Sequence, residues 1–188
     1  MVKLFFDPGH GGRDSGATAN GIREKDLSLR IALSTGMRIE NDYEAQVLYS
    51  RTTDVFISLR NRALMANNAK ADFFVSFHSN GFINNIPNGY EDFLAKSPRL
   101  RAIEIRNKFH DEAASVWIKH NRRNRGKKRA DFVVLRNTLM PAILVENGFL
   151  TNATDAELLK DEKFFNELIS GLTKGIVKAM NLKKHHTI

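Results

Sequence analysis

Val2-Lys3-Leu4-Phe5-Phe6-Asp7-Pro8-Gly9-His10-Gly11-Gly12 opens the chain on a short apolar run that breaks into a glycine-rich turn. The run from Val2 to Phe6 reads as a buried strand. Glycines at 9, 11, 12 and 16 let the backbone bend after it. His10 stands in the middle of that turn, where strand hands over to loop. Open α/β sheets gather their chemistry at the carboxyl ends of strands, so His10 is a candidate metal ligand or general base.

Working outward, strand signals recur along the chain. Ala45–Ser50, Asp72–Phe77, Tyr90–Ala95, Phe132–Leu135 and Ala142–Val145 follow the first, and the last is apolar throughout. Helices fill the gaps. Glu24–Glu40 carries Leu27 and Ile31 on a broad apolar face. Ser58 is a natural N-cap for a helix whose Leu59, Ala63 and Ala66 share a face. Ser97-Pro98 signals another start, with Ser as cap and Pro at the first helical position, running to about Lys119. Asp161 caps a last helix in which Phe164, Leu168, Leu172, Ile176 and Met180 repeat every four residues. Strands alternating with helices predict an α/β layer fold with a largely parallel sheet of about six strands. Residues 1–180 form one domain, and the polar tail 181–188 frays or begins a linker.

Composition narrows the chemistry. A chain of 188 residues can bury a sizeable core in one domain. It has no cysteine, so thiolate chemistry is excluded and any zinc site must use histidine and carboxylate. No apolar run reaches the roughly 20 residues that cross a bilayer, and Met1 to Phe6 is too short for a signal-peptide core. The net charge of +8 is concentrated in KHNRRNRGKKR, residues 119–129, with seven Lys or Arg and no acid. Such a block is a solvated loop or a patch for polyanions, either nucleic acid or an anionic cell envelope.

Partners for His10 arrive from elsewhere in the chain. One strand leads into His78 in SFHSN and another into Glu146 in ILVENGF. Glu24 lies where the loop after His10 becomes a helix, so it returns to the same edge. Two neutral imidazoles and one carboxylate make a three-ligand zinc site with a position open for water. A second carboxylate can take the proton of that water and pass it to a leaving nitrogen. His10, Glu24 and His78 are the expected ligands and Glu146 the expected base and acid. Spacing alone does not decide between the two glutamates, although Glu24 shares a local loop with His10. Glu146 directly follows four apolar residues, where a charge is costly unless it reaches the sheet edge or a partner.

The segments DPGHGGRDSGA, NGIREKDLSL, SRTTDVFISLRNR, ADFFVSFHSN and NRGKKRADFVVLRNTLMPAILVENGFLTN, with the closing helix, cover residues 1 to about 180. In that order they resemble the zinc-dependent N-acetylmuramoyl-L-alanine amidases of bacterial autolysins and phage endolysins. The resemblance implies one Zn2+ on His10, Glu24 and His78, a catalytic Glu146, and a twisted, mostly parallel sheet flanked by helices. It implies a peptidoglycan substrate, cut between N-acetylmuramic acid and L-alanine, and Leu135 as a cleft-lining residue. It also implies an enzyme held in the cytoplasm until lysis or a membrane pore opens the way to the wall, unless the chain is a fragment of a longer protein. A monomer is expected, attraction to anionic wall polymers is open, and nucleic acid is disfavoured because all four catalytic positions are filled. The rivals are a zinc peptidase acting within the stem peptide and a noncatalytic wall- or nucleic-acid-binding module. Asn147 stands where the family has a small or apolar residue, and Ser79 and Gly81 stand where alanines are common, which bears on substrate fit. Asn80 hydrogen-bonds substrate or orients its loop. Arg51 and Asp54 are expected to pair, His110 and His120 to lie at the surface, and Trp117 in the core. His185 and His186, in the tail, have no expected role.

Overall fold

The computed structural model describes residues 1–185. Its elements in chain order are β1 (Val2–Pro8), β2 (Thr18–Ala19), β3 (Ile22–Arg23), α1 (Glu24–Asp42), β4 (Ala45–Tyr49), α2 (Leu59–Asn68) and β5 (Phe73–Asn80). Then come β6 (Tyr90–Ala95), α3 (Leu100–Lys119), β7 (Asn124–Ala130), α4 (Val133–Arg136), β8 (Ala142–Phe149), α5 (Ala153–Lys160) and α6 (Glu162–Met180). Six strands form one sheet in the order β4-β1-β5-β8-β6-β7. β4, β1, β5 and β8 are parallel, whereas β6 runs against β8 and carries β7 parallel to itself.

Helices cover both sheet faces. Leu4, Phe6, Phe73, Val75, Phe77, Ile143 and Val145 alternate onto the face packed by α1, α3 and α6. Phe5, Phe74, Ala142 and Leu144 point to the other face, where Ala66 of α2 and Val134 and Leu135 of α4 meet them. The apolar stripe of α6 is buried at Phe164, Leu168, Leu172 and Ile176, and Asp161 caps it by accepting the Phe164 amide at 2.7 Å. Trp117 is fully buried edge-on to Phe164, as expected. Among the described residues no helix is long and apolar enough to cross a membrane.

Several local expectations are corrected. Phe132–Leu135 is no strand. Phe132 precedes the single helical turn α4, and the neighbouring Val134 and Leu135 are both buried, which a strand exposed on one face does not allow. The strand at this edge is instead the basic block, as β7. Edge strands tolerate rows of cations that central strands cannot. Helix α3 starts at Leu100 rather than Pro98, because Arg99 stays extended and donates from Nη1 to the Leu139 carbonyl. Strands β5 and β8 continue through His78 and Glu146 instead of stopping before them.

His110 is buried, not superficial. Its Nδ1 lies 2.6 Å from Asp92 and its Nε2 3.0 Å from Asn124 Oδ1, tying α3 to β6 and β7. His120 is half-buried against Phe164 and bonded to Glu167. The tail docks through His185. Leu182 is buried, the Lys183 carbonyl accepts the Glu44 amide and the His185 amide donates to the Asp42 carbonyl. His186 and the last two residues lie outside the described residues.

Candidate metal centre

Strand order places the site. From β1 the chain crosses through α1 to β4 on one side, then through α2 to β5 on the other. The connections diverge between β1 and β5, opening a crevice beyond their carboxyl ends. His10 follows β1 and His78 lies near the end of β5, so both rings stand in that crevice with centroids 5.0 Å apart. Glu24, the first residue of α1, enters between them. Its Oε1 is 3.0 Å from His10 Nε2 and 2.8 Å from His78 Nδ1. One ligand atom from each of the three residues lies within 4.8 Å of the others, a group able to hold a metal ion.

The Glu24 carboxylate is fixed from behind. The Ala17 amide donates to Oε2 at 2.9 Å and the Ser79 amide to Oε1 at 3.2 Å. Burial opposes its charge, but the hydrogen bonds and charges of His10 and His78 outweigh burial and hold the carboxyl well below the usual range. Burial likewise works against a charged His10, yet Glu24 and Asp14 raise its pKa.

The turn between the ligands is held open by two glycines. A Cβ on Gly9 would stand 2.3 Å from the His78 ring. A Cβ on Gly16 would meet Glu24 Oε2 and His10 Cδ2 at 2.6 Å, and Gly16 has φ +63°. His10 itself has φ 60°, a strained value for a residue with a side chain.

What holds that conformation was not visible in the sequence. Arg62 of α2 is 2% exposed; it donates to Asp7 Oδ1 at 2.8 Å, to the Pro8 carbonyl at 2.6 Å and to the His10 carbonyl. Arg51 Nη2 donates to the Gly9 and Lys25 carbonyls, both at 2.7 Å. Ser50 and Ser76 hydroxyls complete the Asp7 carboxylate. Arg51 does not bond Asp54, contrary to expectation. Asp54 instead accepts the Gly12 amide and the Lys25 ammonium, clamping the other half of the turn. The one legible signal was Asp7, an acid ending an apolar strand.

Glu146 lies beside this cluster, paired in register with His78 across β5 and β8. Its Oε2 is buried without a hydrogen-bond partner. Burial, then the charges of Glu24 and Glu91, push its carboxyl well above the usual range, with Lys128 acting in opposition. Glu91 is its direct partner on β6. Glu91 Oε2 accepts from Arg125 Nε at 2.7 Å and from Lys128, and Oε1 accepts from Asn80 at 3.0 Å. Burial disfavours the Glu91 charge, but Lys128, Arg125 and Asn80 hold its carboxyl below the ordinary value.

The four main candidates thus come together, and Asn80 joins them through Glu91. Leu135 does not. It is 4% exposed, lodged in the smaller core cluster, and what it lines, with Ala95, Met140 and Ala142, is a hollow that none of the four candidates borders. Asn147 and Ser79 are buried rather than turned toward substrate. The Asn147 amide donates to the His78 carbonyl and the Ser79 hydroxyl to the Asn147 carbonyl, so both brace the ligand strand.

Comparison with known proteins agrees with this architecture. A family model described as N-acetylmuramoyl-L-alanine amidase matches residues 4–178. An N-acetylmuramoyl-L-alanine amidase of Bacillus licheniformis is 43% identical over 186 residues, covering 98% of this chain and 71% of the relative. The endolysin of Bacillus phage SPP1 is also 43% identical, over 98% of this chain and 68% of its own length. The crystal structure of an N-acetylmuramoyl-L-alanine amidase from Clostridium difficile 630 superposes with a TM-score of 0.90 at 36% identity, covering 96% of this chain and 97% of that one. With nearly its whole length matched in sequence and in fold, this chain belongs to the N-acetylmuramoyl-L-alanine amidase family.

Proposed function

We propose that this chain is a zinc-dependent peptidoglycan hydrolase that cleaves the amide between N-acetylmuramic acid and L-alanine. In this reading His10, Glu24 and His78 hold the metal and Glu146 moves the proton. The observation that carries it is the partnerless buried carboxylate oxygen of Glu146 beside a three-donor cluster. A buried acid with no donor of its own is a group kept for chemistry or a ligand.

The donor set fits zinc, since two imidazole nitrogens and one carboxylate leave a fourth position for water or substrate. Bound there, zinc supplies Lewis acidity, which acidifies water and polarises a carbonyl. Glu146 takes the proton from the attacking water and returns it to the departing alanine nitrogen. Burial and the nearby charges of Glu24 and Glu91 raise its proton affinity, which favours that shuttle. Glu24, anchored by two backbone amides, keeps both rings in place. The names of the relatives support the wall substrate, and a wall substrate places the action at the cell wall. The outward cations of β7 add attraction toward anionic wall polymers.

Mass spectrometry of digested walls tests the reading. Peptides beginning with free L-alanine are expected, with the glycan intact. A chelator abolishes their release and added zinc restores it. Cleavage within the peptide, or activity indifferent to the chelator, refutes the assignment. Gly16→Ala is expected to weaken zinc binding by about tenfold or more, because strain and the clash at Glu24 fall on the ligand cage. Titration against a competing chelator measures it.

A further inference from the structure

The basic strand β7 brings two cations near Glu146 that the proposed proton shuttle does not use. Arg125 and Lys128 both lean on Glu91, which faces Glu146 directly across the β6–β8 pair. Directly opposed residues share a sheet face, so these groups stand on the side of the sheet that carries the Glu146 carboxyl. Glu91 is almost buried, but Arg125 and Lys128 have side chains 25% and 37% exposed, so the cations reach solvent. Glu91 brings one carboxylate to the two cations that lean on it. Among the described residues Arg125 gives only its Nε to a hydrogen bond, leaving the terminal nitrogens of its fork free for an acceptor. Phe149 and Phe93 lie under the two cations and fix their stems.

Position says what acceptor fits. Neighbouring strands are about 4.8 Å apart, so the cations gathered on β6 and β7 lie about 5–10 Å from the Glu146 strand. An extended peptide advances about 3.3–3.6 Å per residue. A chain leaving Glu146 across β6 therefore meets them about two residues beyond the nitrogen that departs. We propose that Arg125 and Lys128, held by Glu91 as a positioning residue, form a subsite for a carboxylate carried by the peptide about two residues beyond the scissile amide. The inference rests on the amidase reading above and adds a selectivity to it. The enzyme prefers wall peptides whose carboxylate there is free over those in which it is a carboxamide.

The test uses muropeptides prepared in both forms, the second peptide residue bearing a free α-carboxylate or its carboxamide. Wild type is expected to show a kcat/KM about tenfold to a hundredfold higher on the free acid, mainly through KM, as loss of charge-assisted hydrogen bonds dictates. In Lys128→Met and Arg125→Gln that ratio collapses toward one, whereas Lys128→Arg retains it. A wild type indifferent to the carboxylate overturns the subsite. So do variants that lose activity equally on both substrates with the preference intact, the mark of a merely structural role. Release of alanine-terminated peptides from intact walls by wild type is the control. Its failure refutes the amidase reading itself, whereas indifference to the carboxylate refutes only the subsite.

Discussion

Glu146→Gln is expected to lower kcat on cell walls by a factor of about 10²–10⁴ while leaving zinc content and melting temperature in place. The substitution keeps the shape of the side chain and removes its capacity to accept a proton. No neighbour can stand in. Glu91 is occupied by Arg125, Lys128 and Asn80, and Glu24 by two imidazoles and two backbone amides. Glu146 is not among the three clustered donors, so the metal stays when it is neutralised. Turbidity of a wall suspension gives the rate, and metal analysis of the same preparation gives the occupancy. Full activity with normal zinc would remove Glu146 from the mechanism.

Arg62→Met is expected to have the largest effect on stability, about 3–5 kcal/mol. Arg62 and Asp7 are 2% and 0% exposed, and Asp7 accepts hydrogen bonds from Arg62, Ser50 and Ser76. Removing the guanidinium leaves an uncompensated buried carboxylate and frees three backbone carbonyls, at Ile57, Pro8 and His10. At this chain length the melting temperature falls by about 6–20 °C. The double variant Asp7→Asn/Arg62→Met recovers part of the loss, because the orphaned charge goes with it. Thermal melts of the two variants check this. A single variant as stable as wild type would show that the pair does not hold the turn.

The parallel half of the sheet was legible because its strands are apolar runs ended by chemistry-bearing residues. That rule brought forward His10, His78 and Glu146 as candidates, and its place at a helix start brought forward Glu24. The rule failed where polarity and strand coincide. Asn124–Ala130 holds one alanine and no larger apolar residue, so periodicity gave no strand there, and the apolar Phe132–Leu135 beside it attracted the assignment instead. Arg62 was passed over and His110 placed at the surface for a related reason. Each is a polar residue on a buried helix face, and only tertiary packing reveals the acid, Asp7 or Asp92, that accepts it. Glu91 was missed because its meaning depends on its register against Glu146, which no local pattern encodes.

The reversal of β6 and β7 against the rest of the sheet has a consequence for engineering. The two groups of strands meet along the single seam between β8 and β6. The proposed metal ligands and the proposed shuttle acid lie on the β8 side of that seam, and Arg125 and Lys128 lie on the β6 side. On the proposed reading, changes confined to Arg125 and Lys128 retune which peptides the protein prefers, provided that Glu91 stays opposite Glu146. For an engineer, exchanging Arg125 and Lys128 while keeping Glu91 is the natural way to seek a changed target range.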